Sequence, residues 1–284
     1  MSATPRAQRR LALVTLLGSG TLVVGLFAAY LFFGSQLALA QAADSFLDVF
    51  TAAVLTYAIG VAAQPEDAEH PLGHSRAEPL GALVTAVIAG VLAVEVARSA
   101  VTALLLGAEP HLDAPLLLAF AAKIAFKGGV LLAARALGRH NPAVAALAVD
   151  ARNDILLSAV AVLGYLAARA GAPRIDAWLA LPVAAWIGLA GVRLARDNLR
   201  LLMGVAPALE RQRQLTDLAR AVPGVRGARP VVAQHLGTVL DVRVEVIVDG
   251  ALTVRQGHDI GEAVRARLLA QPDVGHCSVH VNVE

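Results

Sequence analysis

From Leu11 to Ala43 the chain carries no charged side chain. That stretch is too long for the apolar core of a signal peptide, about 7–15 residues. No cleavage site followed by a polar mature chain comes after it. It reads as a helix over about residues 11–33, a turn at Gly34-Ser35, and a second helix over about 37–62. Four more apolar stretches follow, at about 80–106, 113–136, 143–169 and 176–198, separated by polar breaks rich in Pro and Gly. Each is long enough for a helix to cross a hydrocarbon core about 30 Å thick. Composition agrees: 57% of residues are hydrophobic and 16% charged, whereas a soluble domain has about 45–50% and roughly 25%. An ordinary soluble protein and a disordered chain are both excluded. A net charge of +2 does not make nucleic acid a natural partner. The single cysteine, Cys277, cannot form an internal disulfide or a zinc-knuckle framework.

Six spans put both ends on one face of the bilayer. That face collects Arg6, Arg9, Arg10, Arg76, Arg135, Arg139, Arg193, Arg196 and Arg200, while the opposite loops hold little beyond Arg169 and Arg174. The positive-inside rule makes both termini cytoplasmic. Lys occurs only at 123 and 127, and every other basic residue is Arg. With the abundance of Ala, Leu, Val and Gly, this points to a GC-rich bacterial genome and a multi-pass protein of the bacterial cell (inner) membrane.

After Met203 the apolar runs shorten. Residues 208–221 and 253–270 read as amphipathic helices. Residues 238–248 and 276–284 alternate, the first with Asp241, Arg243 and Glu245 against Leu240, Val242, Val244, Val246 and Val248. That is strand periodicity. The expected organisation is a tail over 1–10, a six-helix transmembrane α-helical bundle over 11–203, and a small cytoplasmic α/β domain over 204–284. About 80 residues is near the lower limit for a stable core, so a homodimer is expected.

The spans are not free of charge. The second contains Asp44 and Asp48, and the fifth contains Asp150 and Asp154. Four residues along a helix returns to nearly the same face. Each Asp costs roughly 2.5–3.5 kcal/mol at the centre of a span on insertion scales, and like charges on one face repel. If the two helices face each other, a divalent cation or shared protons would relieve that repulsion. The tetrad is thus a candidate site for a metal ion exchanged against protons. The alternative is that individual Asp residues cap helix ends or pair with Lys123, Lys127, Arg98 or Arg152. Lys123 and Lys127 lie four apart in the fourth span, with Glu95 and Arg98 as possible neighbours. Two readings stand for them: tuning the proton coupling of the tetrad, or forming a structural ion pair. The first cytoplasmic loop, between the second and third spans, holds Asp67, His70 and His74, a carboxylate with two imidazoles suited to a first-row divalent metal. A solvated polar loop reads equally well.

With HPLGHSRAEPL over 70–80, the paired acids and the six spans, the chain resembles the cation diffusion facilitators, a family of dimeric metal–proton antiporters. The loop is similar to that family's HP-x-GH-x-[KR]-AE stretch, and the C-terminal segment resembles its ferredoxin-like, metallochaperone-like domain. The resemblance implies export of a divalent cation, with Asp44, Asp48, Asp150 and Asp154 as the transport site and Asp67, His70 and His74 as a loop site. Zinc-transporting members often carry His where Asp150 stands, and DARNDILLS over 150–158 is similar to manganese-transporting members. An all-oxygen site suits a hard cation, so Mn²⁺ is favoured over Fe²⁺, Zn²⁺ and Cd²⁺. Asn153 sits inside this stretch, either holding a metal-binding side chain in place or facing a neighbouring helix. In the C-terminal domain His258 and His280 match ligand positions of some members. Glu245 replaces a His there, Arg229 another His, and Asn282 an acid. A single weak site of Glu245, His258 and His280 is the remaining expectation. Met203 stands where relatives place an acid opposite the Arg76 position.

The expected function is therefore secondary active transport, with divalent metal, protons, lipid bilayer and a second copy as partners and no prosthetic group. The rivals are a zinc, iron or broad divalent exporter of the same family, a non-transporting membrane metal sensor, and an intramembrane metalloenzyme. Deep paired Asp residues argue against a sensor. The sequence lacks HExxH and any nucleophile–base pair, so no enzyme is expected. It also lacks a phosphate-cradling Gly-rich loop, so ATP is not expected as the energy source.

Overall fold

The computed structural model describes residues 5–111, 113–137 and 142–283. Six long helices come first: α1 (Pro5–Phe33), α2 (Gln36–Ala62), α3 (Ala77–Leu106), α4 (Ala114–Leu137), α5 (Pro142–Arg169) and α6 (Ile175–Leu202). All six contain a window long and apolar enough to cross a membrane. The break expected around 138–142, with Arg139, falls mostly outside the described residues. Helix α1 begins well before the apolar stretch and α6 runs past its expected end. A helix does not stop where hydropathy does, because its backbone hydrogen bonds continue into water at no penalty.

Contacts divide the chain into two compact units, one made of the residues up to Val54 with Thr85–Arg193, the other of Leu55–Val84 with the chain from Leu194 onward. In the first unit the core is built from small residues. Ala40, Ala43, Ala89, Ala93, Val96, Val183, Ala184 and Ile187 form one buried cluster joining α2, α3 and α6. A second, around Leu37, Phe120 and Tyr165, joins α1 to α6. Small side chains let helices approach closely where lipid gives no hydrophobic drive to association. At the Gly34 turn (φ +67°), Asp176 of α6 reaches across to the start of α2. It accepts from Ser35 Oγ at 2.7 Å and from Gln36 N at 2.5 Å, while Ser35 Oγ itself accepts from Ala38 N. A carboxylate at a helix N-terminus meets both the orphan N–H groups and the positive end of the dipole.

In the second unit α7 (Leu209–Arg220), β1 (Gly227–Ala228), β2 (Val232–Leu236), β3 (Val239–Val248), α8 (Val254–Leu269) and β4 (Val274–Val283) form an α/β domain. Central β3 pairs antiparallel with β1 and β2 and parallel with β4. A parallel partner requires a crossover, and α8 supplies it. Its start is fixed by a capping box, Thr253 with Gln256. Leu240, Val242, Val244 and Val246 point into a core with Leu215, Val264, Leu268 and Cys277. Burial pushes the Cys277 thiol up to about 11, so it stays protonated and unreactive.

Strands β1 and β2 have little sequence signal. The first is two residues long and the second follows Pro230. Both exist because β3 offers them an edge.

Candidate metal centre

Asp44 and Asp48 sit one turn apart on α2, and Asp150 and Asp154 one turn apart on α5. The tertiary structure brings three of them together: carboxylate oxygens of Asp48, Asp150 and Asp154 lie within 4.8 Å of one another. Asp44 is joined to the group through Lys123. Side-chain exposure is graded, from 4% at Asp154 through 17% and 24% at Asp44 and Asp48 to 45% at Asp150. The cluster is thus closed at Asp154 and open at Asp150.

Helix α4 carries the neutralising charge. Lys123 Nζ lies 2.9 Å from Asp44 Oδ2 and 3.5 Å from Asp154 Oδ1. Lys127 Nζ lies 2.9 Å from Asp48 Oδ2 and 3.3 Å from Asp150 Oδ2, and contacts Asp154 Oδ2. Both lysine side chains are fully buried. Glu95 and Arg98 are not their neighbours, as the sequence had allowed, but pair with each other on the exposed face of α3. The spacing of the acids was legible in sequence, and Lys123 and Lys127 stood among their candidate partners; which lysine meets which acid was not legible, because no local pattern joins α4 to α2 or α5. Next to the acids, Ser158 Oγ donates to Gln41 Oε1 at 3.1 Å. Gln41 Nε2 and Ser45 Oγ are buried without a partner among the described residues. Asn153 is half-buried beside Asp154.

In the other unit, Asp67, His70 and His74 form a second group with ligand atoms within 4.8 Å. Asp67 faces both rings, at 3.3 Å from His70 Nδ1 and 3.5 Å from His74 Nε2. The ring centroids are 4.4 Å apart. The backbone N–H groups of His70 and Glu69 donate to the Asp67 carboxylate and hold it below the usual carboxylate range. It therefore stays ionised, as a metal ligand must. The loop is seated on the α/β domain: Ser75 Oγ donates to Leu236 O at 2.6 Å, and Gly237 (φ +65°) lies against the Ser75 backbone with no room for a Cβ.

The third expected set is not assembled within the chain. Glu245 and His280 are register partners on β3 and β4, on the face turned away from the domain core. His258 lies exposed on α8, which packs on the opposite face through Gly257 and Gly261 against Val281. The Glu245 carboxylate is engaged by Arg229 at 3.2 Å and accepts from Asn282 Nδ2 at 2.9 Å. Arg229 and Asn282, which depart from the family pattern as Glu245 does, thus form an internal clasp on Glu245.

A bundle of six apolar helices around converging carboxylates, with an α/β domain at the C-terminus, defines a multi-pass membrane protein of the cation-transporting class. Residues 12–203 match the cation efflux transmembrane domain, and residues 207–284 match the cytoplasmic domain of cation efflux proteins. The chain belongs to the cation diffusion facilitator family, and is a cation efflux transporter. Among curated relatives, the magnetosome protein MamM of Magnetospirillum gryphiswaldense is 31% identical over 82% of this chain and 74% of its own length. The manganese efflux system protein MneP of Bacillus subtilis is 27% identical over 99% of this chain and 98% of its own. A solved structure of the MamM C-terminal domain is 30% identical, covers 26% of this chain and 92% of its own, and has a TM-score of 0.25.

Proposed function

We propose that the protein exports Mn²⁺ from the cytoplasm of a bacterial cell by exchange against protons, as a homodimer in the inner membrane with both termini cytoplasmic. The observation that carries this reading is the all-oxygen group of Asp48, Asp150 and Asp154 inside a membrane bundle, with Asp44 beside it. Carboxylate oxygen suits Mn²⁺, and among the described residues no imidazole or thiolate joins the group to favour Zn²⁺. The relationship to a manganese efflux protein over nearly the whole chain agrees. Charge supports the exchange. Four carboxylates against two buried ammonium groups leave two negative charges, which one divalent ion or two protons neutralise. Binding of metal needs deprotonated carboxylates, so flux falls as the cytoplasmic side is acidified. Asp67, His70 and His74 bind the same ions at the loop.

The test is flux of Mn²⁺, Fe²⁺, Zn²⁺ and Cd²⁺ into proteoliposomes under an imposed proton gradient, with a pH dye on the opposite side. Manganese flux with matching proton counterflow is expected, and Asp154→Ala is expected to reduce it to background. Wild-type flux in that variant, or zinc flux exceeding manganese, overturns the reading.

A further inference from the structure

Lys127 holds a position that no ion-pair reading by itself requires. Its ammonium contacts Asp48, Asp150 and Asp154 together. These are the three residues whose oxygens converge closely enough to hold a metal. The ammonium therefore stands where an ion coordinated by all three would stand. Lys123 is placed differently. It is anchored to Asp44 at 2.9 Å and to the Gln41 carbonyl at 3.5 Å, and touches the group only through Asp154.

We propose that Lys127 is a tethered occupant of the transport site. Its ammonium fills the three-carboxylate group when no metal is bound, is displaced when the metal enters, and returns when the metal leaves. This rests on the reading of Asp48, Asp150 and Asp154 as the site of transport.

The physical case has three parts. Three carboxylates held together without a cation repel one another, so an empty site needs positive charge before the bundle can close around it and return. A divalent ion and an ammonium at the same point repel as well, so loading must move the lysine. Lys suits that task and Arg does not: ammonium is a compact charge on a flexible stem, whereas guanidinium grips carboxylates in a rigid bidentate fork. The chain uses Arg for every basic residue except Lys123 and Lys127, so the departure falls on the residues that meet the acids. Lys127 thereby covers part of the charge on the return step.

Alternating access separates two modes of transport. Net efflux requires the empty site to return; exchange of labelled Mn²⁺ for unlabelled Mn²⁺ across the membrane does not. In proteoliposomes of the full-length protein, Lys127→Met and Lys127→Gln should each lower net Mn²⁺ efflux at least about tenfold more than they lower exchange, and should lower the KM for Mn²⁺. Equal loss of both modes, or no loss of either, overturns the proposal. Asp154→Ala separates the underlying reading: it should abolish both modes, and if it retains both, the site itself is misassigned. A measurement on the unsubstituted protein covers the case in which neither variant folds. With ¹³C-labelled lysine the chain gives signals from two lysines only, assigned through Lys123→Arg. Cd²⁺ at saturation should shift the Lys127 signal, and an unmoved signal at saturation overturns the proposal.

Discussion

Asp273 is a residue whose setting has a consequence that can be measured apart from transport. Arg211 binds it with Nη2 at 2.6 Å and Nε at 2.9 Å, a bidentate grip that joins α7 to the start of β4. The Arg211 guanidinium holds the Asp273 carboxyl below its usual range. A carboxyl lowered in the folded state adds stability above the unfolded value, and that stability is lost as pH falls through the folded one. Both partners are partly exposed, so the pair contributes at most about 1 kcal/mol. Arg211→Ala should therefore lower the melting temperature of the full chain at neutral pH and leave it unchanged in strong acid. An equal loss at both ends of the pH scale would mean that the arginine acts through packing. In the membrane the same kind of residue-scale argument was half visible in sequence. The four-residue spacing placed Asp44 with Asp48 and Asp150 with Asp154, because helical periodicity is local. That Lys127 meets three of them depends on how α4 lies against α2 and α5, which no local pattern encodes.

Among the helices, close approach decides which glycines matter. Gly191 of α6 faces α3: a Cβ there would meet Ala89 Cβ at 3.0 Å and Ala86 O at 3.1 Å, and Gly188 faces Ala93 in the same way at 3.3 Å. A backbone carbonyl cannot yield as a side chain can. Gly191→Ala should thus force α6 away from α3 and cost about 1–3 kcal/mol, the usual penalty of overpacking. Gly25 of α1 has open space at its Cβ, and Gly25→Ala should be neutral or stabilising by up to about 1 kcal/mol, the helix-propensity gain. Thermal unfolding in detergent compares the two; equal effects would mean that the seam between α3 and α6 is loose enough to accept a methyl group. In the α/β domain, alternation in β3 and β4 announced those strands. The sequence was silent on β1 and β2, whose existence depends on the edge that β3 presents.

For the whole molecule, the α/β domain is small and keeps apolar side chains on its surface, among them Val232, Val254 and Val283. Domains of this size commonly complete their core by association. Light scattering of the full chain should give a homodimer, and truncation after Met203 should shift it toward monomer; a dimer of undiminished strength after truncation would place the interface in the membrane helices instead. Sequence by itself determined the six spans, the loop and the small α/β domain, because the expense of charge in a bilayer and the periods of helix and strand are written into neighbouring residues. It determined the pairing of acids within α2 and within α5 for the same reason. Only the tertiary structure decided the rest: the ammonium of Lys127 among three carboxylates, the capping of α2 by Asp176 of α6, the clasp of Arg229 and Asn282 on Glu245, and the stranding of His258 on the other face of the sheet. Each of these joins residues far apart in the chain. Which face of one element meets which face of another is set by packing, and packing acts on the whole fold at once.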